Sequence, residues 1–261
     1  MIPQDFIEIW RKNAHWQNFA QVEQDLIISR ALVDLYNEPR VNKELIFRGG
    51  TALNKLFLKP AVRYSEDIDL VQKNPGPIVK TIDLIRETLK PWLGDPKYKI
   101  TQHSAKLLYK YETVNKLMAK LKIEINIKEH FQVLPLRTEE FSVKSNWYNG
   151  NAKIITYEID ELMATKLKAL YQRRKGRDLF DIWHVTKNDL INLDKAFEIF
   201  AMYCAKDSVY FSRDEFLKNL KLKSEHQEFQ SDMNALLAPG LKWNFKEAYE
   251  FVVDNVIAKL P

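Results

Sequence analysis

Apolar positions recur along the chain with two different periods, and the changeover between them divides it. Over residues 1–40, Phe6, Ile9 and Trp10, then Phe19, Val22, Leu26 and Ile27, return at helical spacing. Asn37-Glu38-Pro39 closes that stretch, because the residue before a proline is driven out of the helical region. Between 44 and 130 the pattern is mixed. Leu45-Ile46-Phe47 is a short apolar run stopped by Gly49-Gly50; TALNKLFL at 51–58 predicts a helix, Ile68–Val71 a strand, and 77–92 a second helix. In LKIEINIK, Leu121, Ile123, Ile125 and Ile127 alternate with Lys122, Glu124, Asn126 and Lys128, the period of a strand with one buried face. From Ile159 onward the spacing is helical: Leu162, Met163, Leu167, Leu170 and Tyr171 form one apolar face, and amphipathic stretches follow near 178–187, 194–204, 212–222 and 245–258. These patterns predict an α+β protein, with a mixed α/β domain at 1–157 followed by a helical domain at 158–261.

Composition narrows this picture. With 261 residues, 46% hydrophobic and 29% charged, the chain can bury a sizeable core and is not disordered, collagen-like or low-complexity. Its single cysteine, Cys204, excludes an internal disulfide framework and multi-cysteine zinc sites; the neighbours Ala201, Met202, Tyr203 and Ala205 predict a buried thiol. His15, His103, His130, His184 and His226 are scattered without metal-ligand spacing, and His184 reads as packing or a cap. The start, MIPQDFIEIWRKNAHW, has no continuous apolar core, and no later run approaches the ~18 apolar residues that span a bilayer. The chain therefore reads as soluble and cytoplasmic, with no membrane partner. A net charge of +5 permits a polyanionic partner without demanding one.

Three features of the mixed region carry chemistry. Arg48-Gly49-Gly50-Thr51 lies between a strand and a helix, where glycines allow a sharp turn and let backbone N–H groups approach a phosphate; a plain turn needs the same residues. In Ser65-Glu66-Asp67-Ile68-Asp69-Leu70, Asp67 and Asp69 are i and i+2 on an extended chain, so both carboxylates leave the same face. Carboxylates so close repel unless a cation sits between them, and Mg²⁺ is a hard ion that takes carboxylates together with substrate phosphates. Glu124 is the one acid inside the alternating strand and could complete a three-acid site, or simply pair with a nearby lysine. DIDLV also fits the D-x-D-x-V motif of haloacid-dehalogenase-like phosphatases. That motif needs an apolar strand before its first Asp, and here Arg63-Tyr64-Ser65-Glu66 stands instead. Arg63 and Tyr64 are read as nucleotide contacts or as a surface turn.

Further along, Lys166, Lys168, Arg173, Arg174, Lys175 and Arg177 occur with no acid among them, followed by Asp178 and Asp181. They form a solvated face, or else Lys166 serves a triphosphate with Asp178 or Asp181 orienting it or an arginine. Lys99, Lys106, Lys110, Lys116, Lys120, Lys122 and Lys128 could line a groove for an RNA backbone, with little sign of aromatic interleaving at stacking positions.

Taken in order, the glycine pair, the D-x-D and the downstream acid resemble the polymerase-β-like nucleotidyltransferase fold, except that Arg48 stands where a small apolar residue is usual. FRGGTALNKL, RYSEDIDL, KIEIN, ELMATKLKAL and RRKGRDLFDIW together look like the AbiEii/AbiGii-type (MenT-like) nucleotidyltransferase toxins of bacterial toxin–antitoxin and phage-defence systems. The resemblance spans roughly residues 40–187. It implies a mixed sheet with flanking helices, and transfer of a nucleoside monophosphate from an NTP with pyrophosphate released. In that reading Asp67 and Asp69 bind Mg²⁺, or Mn²⁺ in its place, and Gly49, Gly50, Thr51, Ser65 and Lys166 hold the nucleotide. Lys166 and Asp178 fill the later basic and acidic positions, and Glu124 is the general base. The acceptor implied is RNA, at the 3′ end of tRNA, and a cognate antitoxin is the implied protein partner. Two alternatives stay open: an inactive relative that binds RNA or protein, and transfer to a protein hydroxyl or a small molecule such as an aminoglycoside.

Overall fold

Proline and side-chain caps set the starts of the first helices in this computed structural model, which describes residues 2–260. Helix α1 (Gln4–Trp10) follows Pro3, and α2 (Phe19–Asn37) begins where Asn18 accepts a hydrogen bond from the Ala20 N–H at 2.9 Å. Glu38 ends α2 in an extended conformation, and α3 (Pro39–Glu44) starts at once with Pro39 in its first turn. The break expected at 37–39 is thus a sharp corner between two helices.

The chain divides into two units. The first comprises the chain up to Gln132 together with Leu136–Tyr157. After α3 it runs through β1 (Leu45–Arg48), a single turn α4 (Gly49–Ala52) that widens into a π-helical turn at Leu53–Phe57, β2 (Asp67–Gln72) and α5 (Val79–Leu93). Five more strands follow: β3 (Lys97–Ile100), β4 (Ser104–Glu112), β5 (Met118–Asn126), β6 (Arg137–Lys144) and β7 (Asn149–Thr156). They form a seven-stranded mixed sheet in the order β3-β4-β5-β2-β1-β7-β6. β2 runs antiparallel to β1 and parallel to β5, while β1 runs parallel to β7. The strands β6 and β7, for which the sequence carries no clean alternation, build one edge of the sheet, and β3 the other.

One face of β2, β4 and β5 buries Ile68, Leu70, Leu107, Tyr109, Leu121, Ile123 and Ile125 against the helical layer that includes α5, whose Ile85 carbonyl receives the Tyr109 hydroxyl. Each such aliphatic side chain contributes about 1.5–3 kcal/mol when fully buried. Helix α2 packs on β6, β7, α1 and α5, and it carries a buried ionic cluster. Asp25 accepts hydrogen bonds from the Trp10 and Trp16 indoles at 3.0 and 3.3 Å and from the Lys55 ammonium at 2.9 Å. This carboxylate ties α1, the segment ahead of α2 and the π turn to one point.

The second unit comprises Val133–Pro135 and the chain from Glu158. Its helices are α6 (Ile159–Gln172), α7 (Gly176–Lys187), α8 (Leu193–Lys206), α9 (Arg213–Ser224), α10 (Gln227–Ser231) and α11 (Phe245–Asn255), with a closing 3₁₀ turn at Ile257–Lys259. Buried Glu161 accepts from the Val133 and Leu134 N–H groups and the Tyr203 hydroxyl, at 2.7, 2.9 and 2.7 Å, which pins 133–135 to α6 and α8. Cys204 is buried as expected, and burial pushes its thiol up to about 11. His184 stacks on Phe180 at 5.8 Å, and burial lowers its pKa, which suits a packing role.

Replacing Asp25 by alanine takes the carboxylate from two buried indole donors and from the part-buried Lys55 ammonium, which keeps only Ser29 Oγ. The expected loss is about 3–5 kcal/mol of unfolding free energy, read from urea denaturation.

Candidate active site

The parallel register of β2 on β5 decides which side chains meet. Asp67 is paired with Lys122, and Asp69 with Glu124; Ile68 and Leu70 pair with Ile123 and Ile125 on the other face. Both aspartates and Glu124 therefore share the half-exposed face. Neighbouring strands lie about 4.8 Å apart. Two like charges at about 5 Å repel by about 3 kcal/mol at an effective dielectric near 20. The structure offsets this with lysines. Lys122 Nζ lies 2.7 Å from Asp67 Oδ2 and 3.6 Å from Glu124 Oε2, and Lys106 Nζ lies 3.0 Å from Glu124 Oε1. These carboxylates hold the Lys122 ammonium above its ordinary pKa, against burial, which is the largest influence and lowers it.

Of the two readings of Glu124, third acid or lysine partner, its contacts show the second. Among the described residues, no three His, Cys, Asp or Glu side chains converge to hold a metal ion. Glu124 shares the face of the aspartates, but each of its oxygens is turned to a lysine. The donor set itself, two carboxylates at i and i+2 with hard oxygen ligands, suits a divalent cation.

The glycine turn lies directly against these acids. Gly49 has φ +82°, and a Cβ there would stand 2.4 Å from Asp69 Oδ2, so only glycine lets the carboxylate approach this backbone. Arg48, which departs from the usual small residue, pairs with Glu129 at 2.6 Å. Burial pulls the Arg48 pKa down, but Glu129, Tyr157 and Asp69 together hold it above the usual value. Thr51 is buried, and its hydroxyl is engaged within the protein, with Ser65 Oγ at 2.8 Å and the Asp67 carbonyl, tying the turn to the start of β2. Gly50 faces Arg63: a Cβ would fall 2.3 Å from Nη2 of that guanidinium.

Arg63 and Tyr64 are both buried, which overturns the reading of a surface turn. Burial, with the charges of Glu66, Tyr111, Asp25 and Asp67 adding to it, drives the Tyr64 hydroxyl far above its ordinary pKa. Thr51, Arg63 and Ser65 also line a cavity of about 290 Å³ with Trp10, Trp16 and Lys55.

In the second unit, Lys166 is buried between two carboxylates, 3.0 Å from Asp178 Oδ1 and 2.9 Å from Asp181 Oδ2. Arg173 donates to both oxygens of Asp178, at 2.7 and 3.0 Å. Both aspartates left open by the sequence thus hold the lysine. Burial alone would raise the Asp178 pKa, and Lys166 with Arg173 outweighs it, keeping the carboxyl well below the usual range. The solvated-face reading fails for Lys166 and Lys168, which are buried, the latter paired with Asp207; it holds for the exposed Arg174.

The family described as "Nucleotidyl transferase AbiEii toxin, Type IV TA system" matches residues 30–251 of this chain. The chain belongs to the AbiEii family. It is accordingly a nucleotidyltransferase of a toxin–antitoxin family, and the AbiEii match reaches from α2 to α11, well beyond the motifs legible in the sequence. Two solved structures share the fold. MenT4, a nucleotidyltransferase toxin from Mycobacterium tuberculosis H37Rv, is 15% identical with a TM-score of 0.71, over 100% of this chain and 91% of that one. JHP933 from Helicobacter pylori is 16% identical with a TM-score of 0.54, over 91% and 90%. No curated protein matches the chain.

For this AbiEii member, the sequence pointed to the acids, the glycine turn and the lysine–aspartate cluster. It missed Glu129 as the partner of Arg48, and Lys122 as the cation between Asp67 and Glu124. Glu129 lies beyond the strand and carries no periodic signal; Lys122 is one lysine among many until the register is known.

Two outcomes are expected. Gly49→Ala, clashing with Asp69 and strained at positive φ, displaces that carboxylate and lowers nucleotidyl transfer more than ten-fold, measured with labelled NTP. Asp178→Ala leaves buried Lys166 with Asp181 alone and takes both acceptors from Arg173, at a cost on the order of 3 kcal/mol at pH 7. Because the folded carboxyl titrates below the unfolded one, its contribution is complete above about pH 4 and fades as pH falls through the lowered folded value. Denaturation of wild type and variant therefore gives a constant difference between pH 7 and about 4 that narrows as the pH falls further.

Proposed function

We propose that the protein transfers a nucleoside monophosphate from an NTP to the 3′-hydroxyl of an RNA, with the 3′ end of tRNA as acceptor. The observation that carries this reading is the placement of Asp67 and Asp69 on one strand face, with the Gly49 backbone against Asp69. The acceptor oxygen forms a bond to the α-phosphorus, the bond to the bridging oxygen of pyrophosphate breaks, and the hydroxyl proton passes to Glu124. Asp67 and Asp69 would hold Mg²⁺, or Mn²⁺ in its place, which supplies charge stabilisation to the phosphates when bound. Gly49 and Gly50 would present backbone N–H groups to the β/γ-phosphates, with Thr51 and Ser65 fixing the turn. Lys166, oriented by Asp178 and Asp181, would offset charge on the leaving pyrophosphate.

In this reading the toxin works in the cytoplasm, blocks tRNA charging as part of phage defence, and is restrained by a cognate antitoxin, the partner that membership of a toxin–antitoxin family implies. No helix among the described residues is long and apolar enough to cross a membrane.

The test is incubation with each labelled NTP and total RNA, then with protein alone. Label is expected on RNA and absent from protein. Removing a metal-binding carboxylate forfeits several kcal/mol of charge stabilisation, at 1.36 kcal/mol per factor of ten. Asp67→Asn and Asp69→Asn are therefore expected to lose on the order of 10²–10³-fold in transfer with unchanged circular dichroism. Full activity in both variants, or label on protein instead of RNA, would overturn the assignment.

A further inference from the structure

The sheet register gathers lysines that are scattered in the sequence onto one surface. β4 and β5 pair so that Lys106 stands opposite Glu124 and Lys110 opposite Lys120, while β3 pairs Lys99 with Lys106 and Lys97 with Leu108. Continued through β2 and β1, one row reads Arg48, Asp69, Glu124, Lys106, Lys99, and the next reads Asp67, Lys122, Leu108, Lys97. The opposite face of β4 and β5 carries the buried Ala105, Leu107, Tyr109, Leu121, Ile123 and Ile125. On the lysine face, Lys97, Lys99, Lys106, Lys110 and Lys120 are exposed, and the half-buried Lys122 marks its border with the acids.

This arrangement opposes itself. Lys110 faces Lys120, and Lys99 faces Lys106, in directly paired positions where like charges are destabilising. Lys106 and Lys122 are matched by Glu124 and Asp67. Among the described residues, Lys97, Lys99, Lys110 and Lys120 form no ion pair with a carboxylate. An external polyanion relieves that repulsion.

We propose that this face of β3, β4 and β5 docks the phosphate backbone of the acceptor RNA and leads its 3′ end to Asp69 and Glu124. The proposal rests on the RNA-acceptor reading above and adds where the strand lies. The face suits RNA better than an acidic protein. Protein interfaces are depleted in lysine and anchored by aromatic residues. This face presents lysines with Ser104, Leu108, Met118 and Asn126, a single carboxylate at its far end (Glu112) and no aromatic ring, and such point charges bind phosphates without reading bases. It also adjoins the carboxylates within the same sheet, so a strand held on it extends toward the acids in the direction of the rows.

The experiment uses the full chain and a fluorescein-labelled 20-nucleotide single-stranded RNA, without NTP, by anisotropy over a series of KCl concentrations. The combined variant Lys99→Gln, Lys110→Gln, Lys120→Gln removes charges distant from the acids. Each phosphate contact contributes about 0.7 to the salt slope for single strands, so the slope of log K against log[KCl] is expected to fall by about 2. Affinity near 0.1 M KCl is expected to drop at least ten-fold. A charge-matched control, Lys218→Gln, Lys221→Gln, Lys242→Gln on the second unit, is expected to bind like wild type. In transfer assays with total tRNA, the sheet-face variant is expected to raise KM for RNA and leave kcat unchanged. Lys110→Gln alone gives the same reading at about one third the slope change should the triple variant be unstable.

Wild-type affinity and slope in the sheet-face variant overturn the proposal, as does an equal loss in the control, which makes the effect one of net charge. Loss of binding to the cognate antitoxin with RNA affinity intact also overturns it, since the face then serves protein. RNA binding lost through these lysines, in a wild type that transfers no nucleotide to RNA, supports the docking face while the transfer reading fails.

Discussion

Everything at the candidate site depends on one pairing, the parallel register of β2 against β5. Side chains alternate with period two, so a slip of one residue would send Asp67 and Asp69 into the apolar layer and Ile68 and Leu70 into water. The energies decide which arrangement wins. Ile68, Leu70, Ile123 and Ile125 are fully buried and together contribute on the order of 6–12 kcal/mol. The repulsion between neighbouring carboxylates is about 3 kcal/mol before any cation offsets it. The hydrophobic face therefore dictates where the acids stand, and the acids need only be tolerable there. Lys122 and Lys106 make them so.

The same division explains what could be read in advance. Local periodicity is a property of a few consecutive residues, so the strands around Ile68 and Ile123 and the helices beyond Ile159 are written plainly in the chain. The glycine turn and the D-x-D are short and continuous, and they too are legible. Pairing is different, because nothing in residues 67–69 specifies that Lys122 and Glu124 lie beside them. Hence Glu124 had two readings, third acid or lysine partner, and the structure supports a piece of each: it neighbours Asp69 in the ladder and contacts two lysines. Of the two readings of Arg63, the surface turn fails, because a polar run before the aspartates resembles a turn without being one. Its guanidinium is buried instead, where Gly50 leaves room for it and the Tyr64 carbonyl accepts from it at 3.0 Å.

Buried charges in this protein are held in closed groups. Asp25 serves two indoles and Lys55; Glu161 serves two backbone N–H groups and a tyrosine; Lys166 is shared by Asp178 and Asp181, with Arg173 on Asp178. A buried ion left alone costs several kcal/mol, so each group is tolerable only when complete. Such groups fix orientation more than they add stability. Asp25 and Glu161 orient chain segments, whereas the Lys166 group orients an ammonium, which is why a chemical role is proposed for it and not for the other two.

The charges on the open sheet face follow the opposite rule. Lys110 and Lys120 are directly paired, exposed and in no ion pair with a carboxylate among the described residues, and Lys97 and Lys99, two residues apart on β3, are likewise exposed and without such a pair. In water the repulsion between such ammonium groups is screened within about 10 Å at 0.1 M salt, so the fold can carry it. That weakness is what makes the face usable. Lysines locked into internal pairs must break them before meeting a phosphate, whereas unpaired ones gain the full release of counterions. The contrast between closed groups inside and open charge on the sheet is thus a contrast of purpose: the first fixes geometry and the second keeps binding capacity in reserve.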